Sequence, residues 1–169
     1  MRFLVGTVGG VQSVFAVNGD TATNLTTSLP EVGSDLSALT ASPDLMAKAA
    51  DPAKHGDTLA VADIVPALPI ARPGKFICLG LNYVEHIKEG GYDIPDYPAL
   101  FMRGHNSLMA AGAPMVRPAC SDQLDYEAEL VLIIGKGGRH IRETDALDHV
   151  FGYTVFNDGS VRDYQRKTH

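Results

Sequence analysis

Asp125-Tyr126-Glu127-Ala128-Glu129-Leu130-Val131-Leu132-Ile133-Ile134 is the most informative segment of the sequence. Its second half is an apolar run rich in branched residues, which predicts a buried strand. Glu127 and Glu129 stand at its head, so on a strand their side chains point to the same face, roughly 6.6 Å apart along the chain. Two carboxylates entering a core repel each other and lose hydration. A hard cation such as Mg²⁺ or Ca²⁺ relieves both effects, because it prefers carboxylate oxygens.

A third acidic residue follows a second apolar run. Asp158 lies in Phe156-Asn157-Asp158-Gly159-Ser160, directly after a stretch that is typical of a strand. The sequence therefore suggests a divalent metal held by carboxylates from two strand ends. Spacing alone leaves a plainer explanation open, because charged residues are common at solvated strand ends and Asn157-Asp158-Gly159 is also a good turn signal.

The composition fits a globular protein and argues against several kinds of partner. A chain of 169 residues can bury the core of one domain or of two small ones. Its net charge of −6 disfavours nucleic acid and offers no polybasic patch for a membrane surface. No secretion signal and no long apolar span are visible, so we expect a cytoplasmic protein with no membrane partner. Cys78 lies in an apolar run and is predicted to be a buried, reduced thiol.

Two parts of different character make up the chain. The first, residues 1–70, predicts a small N-terminal domain with strands at 3–8 and 11–17 and short helices at 35–39 and 43–50. The second, residues 71–169, predicts strands at 75–79, 99–102, 130–134 and 153–156, an extended segment at 114–118, and short helices at 83–91 and 144–149. Strands outnumber helices, so the predicted fold class is α+β and β-rich rather than a doubly wound sheet. The last residues, 161–169, look like an opening helix, and we expect the chain to continue in a longer protein.

Capping signals mark two of the helices. Ser42 can cap the helix at 43–50, where Pro43 suits the first helical position. Asn82 can cap the helix at 83–91, and Gly90 suits its C-terminal end.

Further polar residues are candidates for a site. His86 and Glu89 are three apart on one predicted helix and can meet on one face, although spacing alone favours an exposed pair of no special function. Arg103 follows a strand and can hold a substrate carboxylate by two parallel hydrogen bonds, or it can be an ordinary solvated strand end. Arg162 and Gln165 can face the same site or lie on an ordinary helix surface.

Several of these motifs, in this order, resemble the fumarylacetoacetate hydrolase family. They comprise Gly74-Lys75-Phe76-Ile77-Cys78-Leu79-Gly80-Leu81-Asn82-Tyr83 with His86, then Pro98-Ala99-Leu100-Phe101, Asp125-Tyr126-Glu127-Ala128-Glu129-Leu130 with Ile134-Gly135-Lys136, and Phe151 to Gln165. The resemblance covers about residues 74 to 165. It implies a mixed β-roll preceded by a small N-terminal α/β domain, usually assembled as a homodimer. It also implies that residues 71–169 are the first part of the catalytic domain.

The resemblance assigns roles that spacing alone leaves open. It implies one Mg²⁺ (Mn²⁺ or Ca²⁺ in some members) held by Glu127, Glu129 and Asp158. It implies that His86 and Glu89 form a dyad that activates water, with Glu89 orienting His86. A basic residue is expected near Arg103, which, with Arg162 and Gln165, is predicted to bind the substrate.

The implied activity is that of a metal-dependent hydrolase of aromatic catabolism. It would cleave a C–C bond in a 1,3-dicarbonyl or acylpyruvate-type 2-oxo acid through a metal-bound enolate. One such site also serves an oxaloacetate-type decarboxylase or a 2-hydroxymuconate-type isomerase, so the residues alone do not choose between these reactions. A further alternative is an inactive fragment in which the metal is structural.

Overall fold

The computed structural model describes residues 1–167 and shows an α+β protein in which strands predominate. The strands are β1 (Arg2–Val8), β2 (Val11–Asn18), β3 (Thr21–Asn24), β4 (Thr58–Ala60), β5 (Val65–Pro66), β6 (Ile77–Gly80), β7 (Ala99–Met102), β8 (Leu124–Asp125), β9 (Ala128–Ile134), β10 (Val150–Asn157) and β11 (Ser160–Val161). The α-helices are α1 (Leu25–Ser28), α2 (Ser37–Ala41), α3 (Pro43–Ala49), α4 (Val84–Gly90) and α5 (Arg162–Gln165). Short 3₁₀ helices span Pro30–Val32, Pro52–Lys54, Val61–Asp63, His105–Ser107 and Glu143–His149. None of the helices in this described part is long and apolar enough to cross a membrane.

A five-stranded antiparallel sheet organises the N-terminal part, in the order β4-β3-β2-β1-β5. The hairpin between β1 and β2 turns at Gly9 and Gly10, which both have positive φ, as a tight hairpin turn requires. Helices α1 to α3 pack on this sheet over a core of fully buried side chains, chiefly Val14, Leu25, Val32 and Leu39. Phe151 of β10 packs against the same core, so the two parts of the chain are in contact.

The second part contains three two-stranded antiparallel sheets, β9–β10, β8–β11 and β6–β7. In the longest, the start of β9 pairs with the end of β10, with Ala128 opposite Asn157 and Glu129 opposite Phe156. Beside it, Asp125 of β8 pairs with Ser160 of β11. Antiparallel pairing thus brings two chain segments that are about thirty residues apart in sequence to one end of the sheet.

The predicted strands at 3–8, 11–17, 99–102, 130–134 and 153–156 are confirmed, but the predicted full burial of residues 130–134 is wrong. Burial alternates along β9: Leu130, Leu132 and Ile134 are 59%, 46% and 59% exposed. A two-stranded sheet has two faces, and residues 1–167 cover these three side chains only about halfway. The division of the chain at residue 70 stays a prediction.

The capping residues predicted from the sequence are confirmed for one helix and wrong for another. Ser42 caps α3 as predicted, since its hydroxyl accepts a hydrogen bond from the Leu45 N–H. The predicted Asn82 cap is wrong: Tyr83 stands at the start of α4, without a side-chain cap, and Gly91 rather than Gly90 takes the left-handed conformation at its end. Residues 114–118 form no strand, and residues 143–149 form a 3₁₀ helix rather than an α-helix.

Truncation of Leu25 tests the N-terminal core. Leu25 is fully buried among the side chains of that core, so Leu25→Ala leaves a cavity and should lower the free energy of unfolding by about 2–5 kcal/mol in urea titrations. Leu147→Ala is the matched control, because Leu147 is 71% exposed and its loss should change stability by less than about 0.5 kcal/mol. Equal effects of the two changes would contradict this description of the core.

Candidate metal and substrate site

Seven of the eight predicted site residues line one cavity of about 830 Å³. This volume suits a small molecule. The seven are His86, Glu89, Glu127, Glu129, Asp158, Arg162 and Gln165. The eighth, Arg103, does not line the cavity but contacts Asp158 beneath it. The structure therefore brings together residues that the sequence separates by up to eighty positions.

Backbone hydrogen bonds fix two of the carboxylates at the end of the β9–β10 sheet. The Asp158 N–H donates to the Glu127 carbonyl at 2.8 Å. In the opposite direction, the Glu127 N–H donates to the Asn157 side-chain oxygen at 3.0 Å. Glu127 lies just before β9 and Asp158 just after β10, so the first bond extends the backbone pairing by one position, and the second, to a side chain, helps to hold Glu127 at the end of the sheet.

Asp158 is almost completely buried and forms an ion pair with Arg103. The Nε of Arg103 contacts Oδ1 of Asp158 without the alignment of a hydrogen bond, and neither atom has a hydrogen-bond partner among the described residues. Arg103 also donates from Nη2 to the Gly159 carbonyl at 2.9 Å. The predicted substrate-binding Arg103 thus points at a predicted metal ligand in this structure.

A second arginine holds Glu127. Nη1 of Arg162 donates to Oε1 of Glu127 at 2.5 Å, and its Nε donates to Oδ2 of Asp125 at 3.0 Å. The Arg162 side chain is 18% exposed and that of Glu127 is 20% exposed, so this pair is only partly hydrated. These carboxylates hold the pKa of Arg162 above its ordinary value, against the opposing effect of burial.

The third proposed ligand, Glu129, lies near the negative charges of Glu127 and Asp158. Burial, and then the charges of Glu127 and Asp158, raise the pKa of Glu129, although a hydrogen bond with Tyr83 and the charge of His86 oppose the shift. Burial and the charge of Asp158 also raise the pKa of the Cys78 thiol to about 11. Even with Arg103 beside it, Asp158 therefore makes this region unfavourable for further negative charge.

Helix α4 presents His86 and Glu89 to the cavity from the other side. Both side chains are exposed, and no hydrogen bond joins them in the part of the chain that the structure describes. The helix is tied to the carboxylates by Tyr83, whose phenol oxygen accepts a long hydrogen bond from the Leu130 N–H at 3.5 Å. His86 is near enough for its charge to influence Glu129, which places the base candidate beside the acidic group.

The donor set fits a hard divalent cation. The three proposed ligands, Glu127, Glu129 and Asp158, line one cavity, and the buried Oδ1 of Asp158 has no hydrogen-bond partner within residues 1–167. Such a set of oxygens repels itself and suits Mg²⁺, Mn²⁺ or Ca²⁺. In the present arrangement, however, no three His, Cys, Asp or Glu side chains among the described residues converge closely enough to share an ion. Arginines contact two of these three carboxylates, Asp158 and Glu127.

Asp125 and Tyr83 are two site residues to which sequence reasoning gave no definite role. Asp125 pairs with Arg162, thirty-seven positions away in the sequence. No local sequence pattern predicts a partner at that distance. Tyr83 offered a weak signal, since it stands three residues before His86 and therefore at the base of the same helix.

A comparison with known proteins matches the second part of the chain to one protein family. The family model described as "Fumarylacetoacetate (FAA) hydrolase C-terminal" matches residues 75–169. Among curated proteins, oxaloacetate tautomerase fahd2, mitochondrial, of Xenopus laevis is 46% identical over 99 residues, which is 59% of this chain and 31% of that protein. The chain thus spans about a third of the length of that relative.

Solved structures confirm the predicted β-rich fold. The fumarylacetoacetate hydrolase of Exiguobacterium antarcticum has a TM-score of 0.76 and 28% identity, over 99% of this chain and 58% of that one. Maleylpyruvate hydrolase of Sphingobium sp. SYK-6, solved in complex with manganese(II) ion and pyruvate, has a TM-score of 0.76 and 25% identity, over 96% of this chain and 60% of that one.

Removal of the Glu129 charge tests the electrostatics of the cavity. The pKa of Glu129 is raised in the folded protein, so the ionised carboxylate opposes folding above the ordinary glutamate pKa, and the neutral form does not. Glu129→Gln should therefore raise the melting temperature in chelator at pH 7, and the gain should vanish near pH 4. Glu143→Gln, an exposed acid outside the cavity, is the matched control. A lower melting temperature for Glu129→Gln at pH 7 would contradict the repulsion.

Proposed function

The chain belongs to the fumarylacetoacetate hydrolase family, and on that premise we propose that it forms part of a divalent-metal-dependent enzyme that hydrolyses a C–C bond in small 2-oxo acids. The main support for the proposal is that Glu127, Glu129 and Asp158 line one cavity together with the His86–Glu89 pair of α4. The carboxylates suit a hard cation, and the imidazole suits proton transfer near neutral pH. A 1,3-dicarbonyl or acylpyruvate is the substrate class that needs both.

Glu127, Glu129 and Asp158 would hold the cation. Mg²⁺ is our first choice, with Mn²⁺ or Ca²⁺ as alternatives. The manganese(II) ion in the maleylpyruvate hydrolase structure supports a divalent metal without choosing among them. When bound, such an ion acts as a Lewis acid on the 2-oxo group of the substrate.

His86 would act as the general base for hydrolysis, and Glu89 would orient it. The imidazole takes a proton from water, and the water oxygen bonds to the distal carbonyl carbon. The C–C bond then breaks, its electron pair stays with the 2-oxo acid fragment, and a proton completes that product. Because no hydrogen bond joins His86 and Glu89 among the described residues, the dyad would assemble only when α4 closes on the substrate.

Arg162 and Gln165 line the cavity and remain candidates for substrate binding. Arg103 would have to leave Asp158 before it could bind a substrate carboxylate. The homodimer and the cytoplasmic location stay predictions, and the name of the Xenopus relative gives a mitochondrial location for that protein.

Keto–enol tautomerisation of an oxaloacetate-type acid is the second candidate. It is favoured by the 46% identity to an oxaloacetate tautomerase over the same segment. This reaction moves one proton between carbon and oxygen and requires no activated water, so His86 could serve as the base on carbon instead. Decarboxylation of the same substrate is a third possible reaction. Carbon dioxide leaves, the electron pair of the broken C–C bond stays on the remaining carbon, and that carbon then takes a proton.

A substrate panel tests the proposal and separates these outcomes. Acylpyruvates, oxaloacetate and 2-hydroxymuconates should be assayed with Mg²⁺ and with chelator, in the wild type and in Glu127→Ala. We expect acylpyruvate cleavage that requires the metal and is abolished by Glu127→Ala, while circular dichroism shows an intact fold. Turnover that survives chelation would contradict a catalytic metal, and complete inactivity of metal-loaded protein would favour a fragment with a structural metal.

His86→Ala tests the base. Loss of a general base should reduce hydrolytic turnover by roughly 10²–10⁴-fold and leave metal affinity nearly unchanged, because His86 is not among the proposed ligands. Glu89→Ala should cost less, since it orients the base without transferring the proton. Glu85→Ala on the same helix is the matched control, because Glu85 pairs with Lys88 at 2.8 Å and does not line the cavity. Unchanged hydrolysis in His86→Ala would show that His86 is not the general base.

A further inference from the structure

Arg162 contacts three other side chains that line the cavity. Its Nη1 donates to Oε1 of Glu127 at 2.5 Å and to Oε1 of Gln165 at 3.1 Å. Its Nε donates to Oδ2 of Asp125 at 3.0 Å, and its Nη2 lies 2.9 Å from the same oxygen. A guanidinium has five N–H donors in a planar fork, and most of them are occupied here. Arg162 therefore cannot offer its fork to a substrate carboxylate without releasing a protein partner.

The partner that matters is Glu127, because it is also one of the three proposed metal ligands. A carboxylate has two oxygens, so an arginine on one oxygen could in principle support a metal on the other. Outer partners of that kind hold ligands in their metal-binding positions, and losing them typically weakens metal affinity by roughly 10–100-fold. The geometry argues against that role for Arg162, since the arrangement that it holds is not one in which three ligands among the described residues converge.

We propose that Arg162 competes with the divalent ion for Glu127. This inference rests on the proposed metal site. In the metal-free protein the guanidinium neutralises Glu127 and Asp125 together. When the ion binds, Glu127 moves to it, and Asp125 keeps Arg162 in place. Arg162 is thus a positioning residue that stabilises the empty site and sets how much free metal is needed to fill it.

Competition of this kind predicts the direction in which the apparent metal affinity changes when Arg162 is replaced. Glu127 must give up a charge-assisted hydrogen bond when it turns to the ion, and this loss weakens apparent metal affinity. Removing the arginine removes the loss, so affinity should rise by roughly 10-fold or more, the equivalent of one hydrogen bond to a charged group.

A change of charge alone would act in the same direction, and the chain offers a control for it. Arg166 lines the same cavity one helical turn after Arg162 and has no ion pair with a carboxylate in the described part of the chain. Arg166→Gln removes the same charge from the same wall without releasing Glu127. The change in metal affinity caused by Arg166→Gln therefore measures the electrostatic effect of losing one positive charge near the site.

The experiment is a titration of the full chain with Mn²⁺, followed by the electron paramagnetic resonance signal of the free ion. Wild type, Arg162→Gln, Arg162→Lys and Arg166→Gln are compared, each checked for folding by circular dichroism. We expect Arg162→Gln to bind Mn²⁺ roughly 10-fold or more tightly than wild type, and Arg166→Gln to stay within about 3-fold. Arg162→Lys keeps the charge but loses the fork, so it should also bind more tightly than wild type. It serves as the test if Arg162→Gln does not fold.

The failure of this inference can be told apart from failure of the proposed function. Wild type that binds Mn²⁺, with equal or weaker binding by the Arg162 variants, overturns the competition and leaves the metal site standing. An equal rise for Arg162→Gln and Arg166→Gln also overturns it, because the field alone then explains the gain. Absence of Mn²⁺ binding in every variant overturns both proposals.

Discussion

The antiparallel pairing of the start of β9 with the end of β10 is the constraint on which the site depends. It places Glu127, Glu129 and Asp158 at one end of one small sheet, and the hydrogen bond from the Asp158 N–H to the Glu127 carbonyl locks that register. Acids brought together in this way repel each other and lose hydration, so the fold must supply positive charge. In the structure two arginines supply it, and in the proposed enzyme a metal ion would take over part of that role.

The arginines approach the acids of the cavity from two different elements of the fold. Arg103 approaches the buried Asp158 from the strand β7 side, and Arg162 reaches Glu127 and Asp125 from the start of α5. Glu129 is left without an arginine, and its pKa is raised, first by burial and then by the charges of Glu127 and Asp158. The charge balance is therefore uneven, and the remaining negative potential faces the cavity, where His86 stands opposite.

Much of this could be predicted from the sequence, because the decisive signals are local. The hydrophobic runs around residues 3–8, 11–17 and 130–134 have the composition of strands, and Ser42-Pro43 marks a helix start that the structure confirms. The cap of α4 was predicted one residue early, because Asn82 has a better capping side chain than Tyr83 but lies outside the helix. Burial of β9 was overestimated, since an apolar run does not reveal whether both faces of its sheet are covered.

The ion pairs of the site could not be predicted from the sequence. Arg162 with Asp125 and Arg103 with Asp158 are contacts across thirty-seven and fifty-five positions, and they follow from the register of β8 with β11 and from the packing of β7. Sequence reasoning assigned both arginines to the substrate because isolated cations near a predicted site suggest anion binding. In the folded chain the nearest anions are the protein's own carboxylates, and this changes which role the arginines are best placed to play.

We propose that Glu127, Glu129 and Asp158, at the ends of β9 and β10, form one divalent-metal site. Its most direct test is a crystal structure of the full-length protein grown with Mn²⁺, with anomalous diffraction used to locate the ion. We expect one anomalous peak between the carboxylates of Glu127, Glu129 and Asp158, with oxygen ligands at about 2.1–2.3 Å. A manganese peak elsewhere, or three carboxylates that stay apart with both arginines in place at saturating Mn²⁺, would contradict it.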